Sequence, residues 1–345
     1  MSNYSSVLNR DLDRLKAAYD VVDENPLGGG AISGTSFPTD RMLTTELLGF
    51  QNVRAHSLDA TGNRDWMNEV LNANATLHST FSRFAGELIT WSSYEYRTVT
   101  LDDGFAMGSS MMPQKKNPGP CELIRGRSGI MTGYATAGLT MVHGLPSGYN
   151  RDFHEEKELL FQSCEMANRA AEVMPALVRT TTFNKERMAD LCDKNFMTAT
   201  ELANYLVTDH NVPFRATHHI VGTLVGNLTR SGGNLTDIKA VMEHLEGEGI
   251  IADEEKVKKV LDPKTVMLSY NSLGGTGAEA CSELLDNIDA RLAKHKESLE
   301  ADEQRVRAAF AACRNIAKNA KDVKTVEDLE HLIQQYRPNT KPGLR

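Results

Sequence analysis

Apolar residues recur along this chain at three- and four-residue intervals, the spacing that puts them on one side of an α-helix. Leu8, Leu12, Leu15 and Tyr19 make one such face, with charged residues between them. A longer segment covers residues 65–96, where Trp66, Val70, Leu77, Phe81, Phe84 and Leu88 keep helical spacing. At ~3.6 residues per turn it predicts roughly nine turns. A third helix opens at Pro118, a favoured first position, and runs through Leu123, Ile130 and Leu139. A fourth is predicted over residues 152–178, with Phe153, Leu160, Cys164 and Ala171 on one face. Two-residue alternation is confined to residues 98–101. Helices this long cover their apolar faces only with other long helices, so the pattern predicts an all-α protein built on a long central bundle.

Three polar, glycine-rich stretches interrupt these helices: Asn25-Pro26-Leu27-Gly28-Gly29-Gly30-Ala31, residues 101–117, and Gly144-Leu145-Pro146-Ser147-Gly148-Tyr149-Asn150. Loops between rigid helices are where a scaffold carries function. From about residue 181 the helices become shorter. Pro213-Phe214-Arg215 opens one, and Gly274-Gly275-Thr276-Gly277 precedes another. The expected organisation is a bundle domain over 1–180, a small C-terminal helical domain over 181–297, and a charged extension over 298–345, helical as far as Pro338.

Composition narrows the function. Among 345 residues, 38 Lys and Arg face 46 Asp and Glu, a net charge of −8 that speaks against a nucleic-acid partner. No run approaches the ~20 apolar residues of a membrane helix, and the polar start is no secretory signal. The five cysteines are odd in number and form no CxxC pair, which predicts reduced thiols in a cytoplasmic protein. His154-Glu155-Glu156 is the nearest approach to a ligand motif and reads as a solvated helix start. No metal and no organic cofactor is expected.

The chemistry concentrates in Gly108-Ser109-Ser110-Met111-Met112-Pro113-Gln114-Lys115-Lys116-Asn117-Pro118. Hydroxyls, ammonium groups and carboxamides sit on one glycine-led loop that ends at a helix N-terminus, where backbone N–H groups and the helix dipole favour an anion. A serine hydroxyl is a poor base unless cations and N–H donors stabilise its alkoxide. By composition alone, a solvated basic loop is the competing reading.

The string matches GSSxMPxKxNP at every fixed position, and so resembles the signature of the aspartase/fumarase superfamily. With Glu122-Leu123-Ile124-Arg125-Gly126 after it, the QKKN form is similar to the argininosuccinate lyase branch. Pro26-Leu27-Gly28, Asp40-Arg41, Gly144-Leu145-Pro146, Tyr149-Asn150-Arg151-Asp152, Pro213-Phe214-Arg215 with His218, and Gly274-Gly275-Thr276 follow the same branch in order. The resemblance covers residues 8–297. It implies elimination of an amine from a succinyl group to leave fumarate, from argininosuccinate or a similar small molecule. Ser109 would take the Cβ proton, Lys115 and Asn117 would stabilise the aci-carboxylate, and Glu122 would pair with a catalytic histidine. Tyr149 and Lys157 match residues that hold the substrate, and His154 stands where a glutamine contacts it. Lys115, Lys116, Arg151 and Lys157 would make the pocket locally positive. Met111, Met112 and Pro113 would pack and shape the loop.

The resemblance further implies a homotetramer whose central helices form one bundle, each site drawing motifs from three subunits. The family's catalytic histidine and two substrate-binding motifs precede the helix at Leu8–Tyr19, and the chain has no histidine before His56. Activity is therefore expected to need an N-terminal part, whether the protein is split, truncated or naturally short. His219 and Tyr270 also depart from the branch, where Glu and Arg are usual. Two alternatives stand beside the first reading: a related fumarate-releasing lyase acting on another N-substituted aspartate, and a non-catalytic scaffold that keeps the bundle.

Overall fold

A computed structural model describes residues 1–194, 196–338 and 340–344. Of it, 70% is helical and 4% strand. The first part contains α1 (Ser2–Val22), α2 (Arg41–Leu48), α3 (Ser57–Gly62), α4 (Asp65–Ser92), α5 (Gly119–Val142) and α6 (Glu156–Thr180). Two-residue strands punctuate it: β1 (Glu24–Asn25), β2 (Asn52–Val53), β3 (Val99–Thr100), β4 (Met107–Gly108), β5 (Lys116–Asn117) and β6 (Thr182–Phe183). The brief alternation at 98–101 becomes β3, which pairs antiparallel with β6.

The bundle has two chemically distinct ends. α4 and α5 run antiparallel. Gly138, late in α5, lies against Met67, Asn68 and Leu71 at the start of α4. At the other end Cys121 and Ile124, early in α5, share a core with Phe84 and Leu88, late in α4. α6 runs parallel to α4, contributing Met174 and Leu177 to that same core and Glu156 to the opposite end. Burying each of these Leu, Ile, Met and Phe side chains contributes about 1.5–3 kcal/mol.

Helical spacing locates the helices but misplaces parts of their faces. In the first turns of α4 the buried residues are Met67 and Leu71, while Trp66 and Val70 are half-buried, because α4 is covered by neighbours on several sides. In α6 the buried face is Ser163, Ala167, Ala170, Met174 and Leu177, and Ala171 is exposed. Small residues let α6 approach closely, and they leave no strong apolar pattern. In α5 the packed residues are Cys121, Ile124, Met131, Ala135 and Gly138. Leu123, Ile130 and Leu139 are 55%, 46% and 50% exposed. Leu123 and Ile130, two turns apart, share an uncovered face.

The following helices are α7 (Lys185–Lys194), α8 (Ala199–His210), α9 (Phe214–Ser231), α10 (Ile238–Gly247), α11 (Glu254–Leu261) and α12 (Pro263–Ser269). Helices α8 to α11 enclose a separate core around Leu202, Leu206, Val221, Leu224, Val241, Leu245 and Val257. α13 (Ala278–Asn319) then runs through residue 297 without a break and packs against α1 and α2. After α14 (Val326–Tyr336), β7 (Gly343–Leu344) pairs in parallel with β2, which pairs with β1. Among the described residues, no helix is long and apolar enough to cross a membrane.

Candidate functional site

β4 and β5 pair antiparallel, Met107 with Asn117 and Gly108 with Lys116. This closes residues 109–115 into a hairpin loop whose exit feeds α5. At the junction Gly119 lies close under the Met107 side chain: a Cβ there would sit 2.3 Å from the Met107 sulfur, which would have to move aside. Ser109 opens the loop, and its Oγ accepts the N–H groups of Met111 at 3.2 Å and Met112 at 3.1 Å. Two donors on one oxygen favour its anionic form over the hydroxyl.

The two lysines differ. Lys116 is ion-paired with Asp103 in the one-turn helix Asp103–Phe105. Lys115 is exposed and has no ion-pair partner among the described residues. Asn117 is half-buried in β5, and exposed Glu122 lies in the first turn of α5, where the dipole favours a negative charge. Met111 is 89% exposed and gives the loop little packing, while Met112 is 43% exposed. The loop is shaped instead by the strand pairing and by the hydrogen bonds to Ser109.

The other predicted residues occupy the far end of the bundle. Tyr149 ends the glycine-rich loop, and a one-turn helix, Arg151–His154, leads into α6. Tyr149 Oη and His154 Nε2 are hydrogen-bonded at 2.6 Å. Phe153, between them in sequence, is buried with its ring edge-on to Tyr149 at 6.4 Å. Lys157 is exposed in the first turn of α6. A cavity of about 430 Å³ adjoins this segment, lined by His56, Asn63, Arg64, Asn68, Pro146 and Phe153 among others.

The structure therefore sorts the predicted residues into two groups. Ser109, Lys115, Asn117 and Glu122 lie at the N-terminal end of α5, and Tyr149, His154 and Lys157 lie beyond its C-terminal end. A 24-residue helix separates them by about 36 Å at 1.5 Å per residue. No hydrogen bond or ion pair joins the groups among the described residues. Lys115 and Lys116 thus do not share one positive pocket with Arg151 and Lys157 within a single chain. Sequence reasoning missed Arg64 and Glu156, whose ion pair spans 92 positions and has no local signature. Among the described residues, no group of three or more His, Cys, Asp or Glu side chains is arranged to hold a metal.

Comparison with known proteins adds to this geometry. Residues 1–133 match a family model described as lyase, and residues 196–267 match one described as argininosuccinate lyase C-terminal. Over 289 residues the chain is 41% identical to argininosuccinate lyase from Lactococcus lactis subsp. lactis, covering 84% of this chain and 62% of that relative. It is 42% identical, over the same shares, to argininosuccinate lyase from Listeria monocytogenes. The chain spans about three fifths of the length of these curated relatives. Among solved structures, EDDS lyase in complex with formate superposes with a TM-score of 0.80 at 27% identity, over 97% of this chain and 66% of that one. Class II fumarase from Schistosoma mansoni shares the fold at a TM-score of 0.63 and 18% identity, over 76% of this chain and 56% of that one.

Proposed function

The chain belongs to the argininosuccinate lyase family, and from that premise we propose that it splits argininosuccinate into arginine and fumarate by β-elimination. The observation that carries this reading is the pair of N–H donors on Ser109 Oγ, in the same loop as Lys115, which has no ion-pair partner among the described residues. A serine so placed can act as the base. Its alkoxide takes the Cβ proton, the C–H electron pair forms the carbon–carbon double bond, and the Cα–N bond breaks with its electrons going to the guanidino nitrogen. The carboxylate beside Cβ carries extra charge in the transition state, where Lys115 and Asn117 bind it more tightly than in the ground state. Glu122 would orient a histidine from a neighbouring segment.

If the two groups of residues serve one substrate, the distance between them requires more than one copy of the chain at each site. A hairpin at one end of α5 and Tyr149, His154 and Lys157 at the other meet around one substrate only if several copies pack together. The uncovered Leu123 and Ile130 face of α5 gives such packing an apolar surface, and a homotetramer built on α5 is the assembly proposed. The five free cysteines fit a cytoplasmic setting.

Fumarate release, followed by its ultraviolet absorbance, tests the activity. The assay is run on the chain alone and with the N-terminal segment of a longer relative supplied in trans. Argininosuccinate is expected to yield fumarate, and Ser109→Ala to lower the rate by about 10³-fold with the helical content unchanged. No fumarate under either condition, from argininosuccinate or from any other N-substituted aspartate, would leave the non-catalytic scaffold as the reading. A second catalytic reading draws on His154, whose bond to Tyr149 alters an expected substrate contact, and on the likeness to EDDS lyase, a variant of which holds bound fumarate. Fumarate from a different N-substituted aspartate, and none from argininosuccinate, would favour it.

A further inference from the structure

The turn between α3 and α4 reaches across the bundle to the segment that carries Tyr149, His154 and Lys157, and Arg64 is the contact point. Its Nε donates to Glu156 Oε2, and the two side chains are only 13% and 11% exposed. Its Cζ lies 4.3 Å from the centre of the Phe153 ring. Its Nη1 donates to the carbonyls of Thr61 at 3.2 Å and Asn63 at 2.8 Å, which ties the guanidinium to its own turn. One planar cation thus holds the first residue of α6 by charge and the buried ring of the preceding one-turn helix by its face.

Both contacts lead directly to the proposed substrate residues. Glu156 is followed by Lys157, and Phe153 lies edge-on to Tyr149 and next to His154. A second close approach reinforces the first: a Cβ at Gly62 would lie 2.7 Å from the Gly148 carbonyl oxygen, so the same turn abuts the loop just before Tyr149. The cavity of about 430 Å³ beside Arg64 and Phe153 gives the segment somewhere to move once that contact is lost. The core of α4 from Leu77 to Leu88 is packed elsewhere and does not depend on it.

From this geometry we infer that Arg64 is a positioning residue: through Glu156 and Phe153 it fixes the substrate-binding segment 149–157 without touching substrate. The inference rests on the proposed assignment of Tyr149, His154 and Lys157 to substrate binding. A charge-swap cycle with R64E, E156R and the double variant R64E/E156R tests it, with R64K as a conservative fourth variant.

Hydrogen exchange gives a readout that needs no catalysis. Each single reversal is expected to speed exchange of peptides within 149–158 by about tenfold and to leave residues 77–88 unchanged. The double variant should exchange more slowly than either single reversal, because a reversed pair restores the attraction to α6 though not the stacking on Phe153. R64K, which keeps the charge but loses the planar stacking, should fall between. In fumarate release the single reversals should raise KM by about tenfold with kcat little changed, the signature of lost binding rather than lost chemistry.

Unchanged exchange over 149–158, loosening that spreads to 77–88, or a double variant no better than the singles would overturn the positioning role. A fall in kcat at constant KM would do the same. If the unaltered protein releases no fumarate from any N-substituted aspartate, the functional reading fails, while the exchange results still decide whether Arg64 fixes the segment.

Discussion

Glu46 has no exposed surface, and its Oε2 accepts the Nε–H of Arg337 at 2.6 Å from a residue 291 positions away. Its other oxygen is buried without a hydrogen-bond partner among the described residues. Nearby, Arg305 pairs with Asp23, both sheltered, and Cys313 Sγ lies 3.0 Å from the Leu47 carbonyl. With β7 added to β2, the C-terminal segment is fastened to residues 23–53 by charge and by backbone pairing.

The Glu46–Arg337 contact predicts an asymmetric response to mutation. Breaking a buried pair by removing one partner leaves an uncompensated charge, whereas removing both charges is close to neutral. Arg337 is about one-third exposed, so the penalty is smaller than for a fully enclosed pair. Arg337→Ala should lower stability by about 2 kcal/mol in urea unfolding, and adding Glu46→Gln should recover much of it. Equal stability of Arg337→Ala and the unaltered chain would show that the pair does not hold the segment.

His78 predicts a pH response. It is 1% exposed in the middle of α4. Burial, with the Arg127 charge as a lesser contribution, holds its pKa below the ordinary histidine value. The unfolded chain therefore binds the proton more readily than the folded one. Stability from this group is fully present above pH ~6.5 and falls as pH drops toward the depressed folded value. Equilibrium unfolding between pH 7 and pH 5 should show this slope, and His78→Leu should flatten it by up to about 1.4 kcal/mol per pH unit. An identical slope in the variant would remove His78 as its source.

These two contacts also mark where sequence reasoning ends. α4 was readable because Leu77, Phe81, Phe84 and Leu88 repeat at helical spacing in a segment long enough to average out exceptions. The buried face of α6 was not, since Ser163, Ala167 and Ala170 bury through small size rather than hydrophobicity. The residue types of the 108–118 loop announced their chemistry, but the two N–H groups on Ser109 Oγ follow from how residues 109–112 turn. Arg64–Glu156, Glu46–Arg337 and β2–β7 join residues far apart in the chain, and each partner alone looks like an ordinary surface group. That the seven proposed site residues divide between the ends of α5 became visible only from the direction and length of the helix.

Tyr149 and His154 predict coupled effects on substrate binding. Because one hydrogen bond of 2.6 Å joins them, removing either side chain disturbs the other. In a double-mutant cycle on fumarate release, Tyr149→Phe and His154→Ala should each raise KM. The double variant should cost less than the two effects added, by about 1 kcal/mol. Strict additivity would mean that the pair does not act as a unit at the substrate.

The exposed face of α5 predicts an assembly that a single charge disrupts. Ile130 is 46% exposed and Leu123 is 55% exposed two turns before it. If this face meets its counterpart in another copy, Ile130→Glu places an unpaired carboxylate in an apolar contact, costing on the order of 2 kcal/mol at every copy of the interface. Light scattering coupled to size-exclusion chromatography should then report a smaller species, and fumarate release should fall with it while the helical signal is retained. Lys239→Glu serves as the control, since that side chain is 86% exposed on α10, outside the bundle. Its mass and activity should match the unaltered chain. An Ile130→Glu protein of unchanged mass would exclude this face as the contact, and the two ends of α5 would have to be brought to one substrate by another surface.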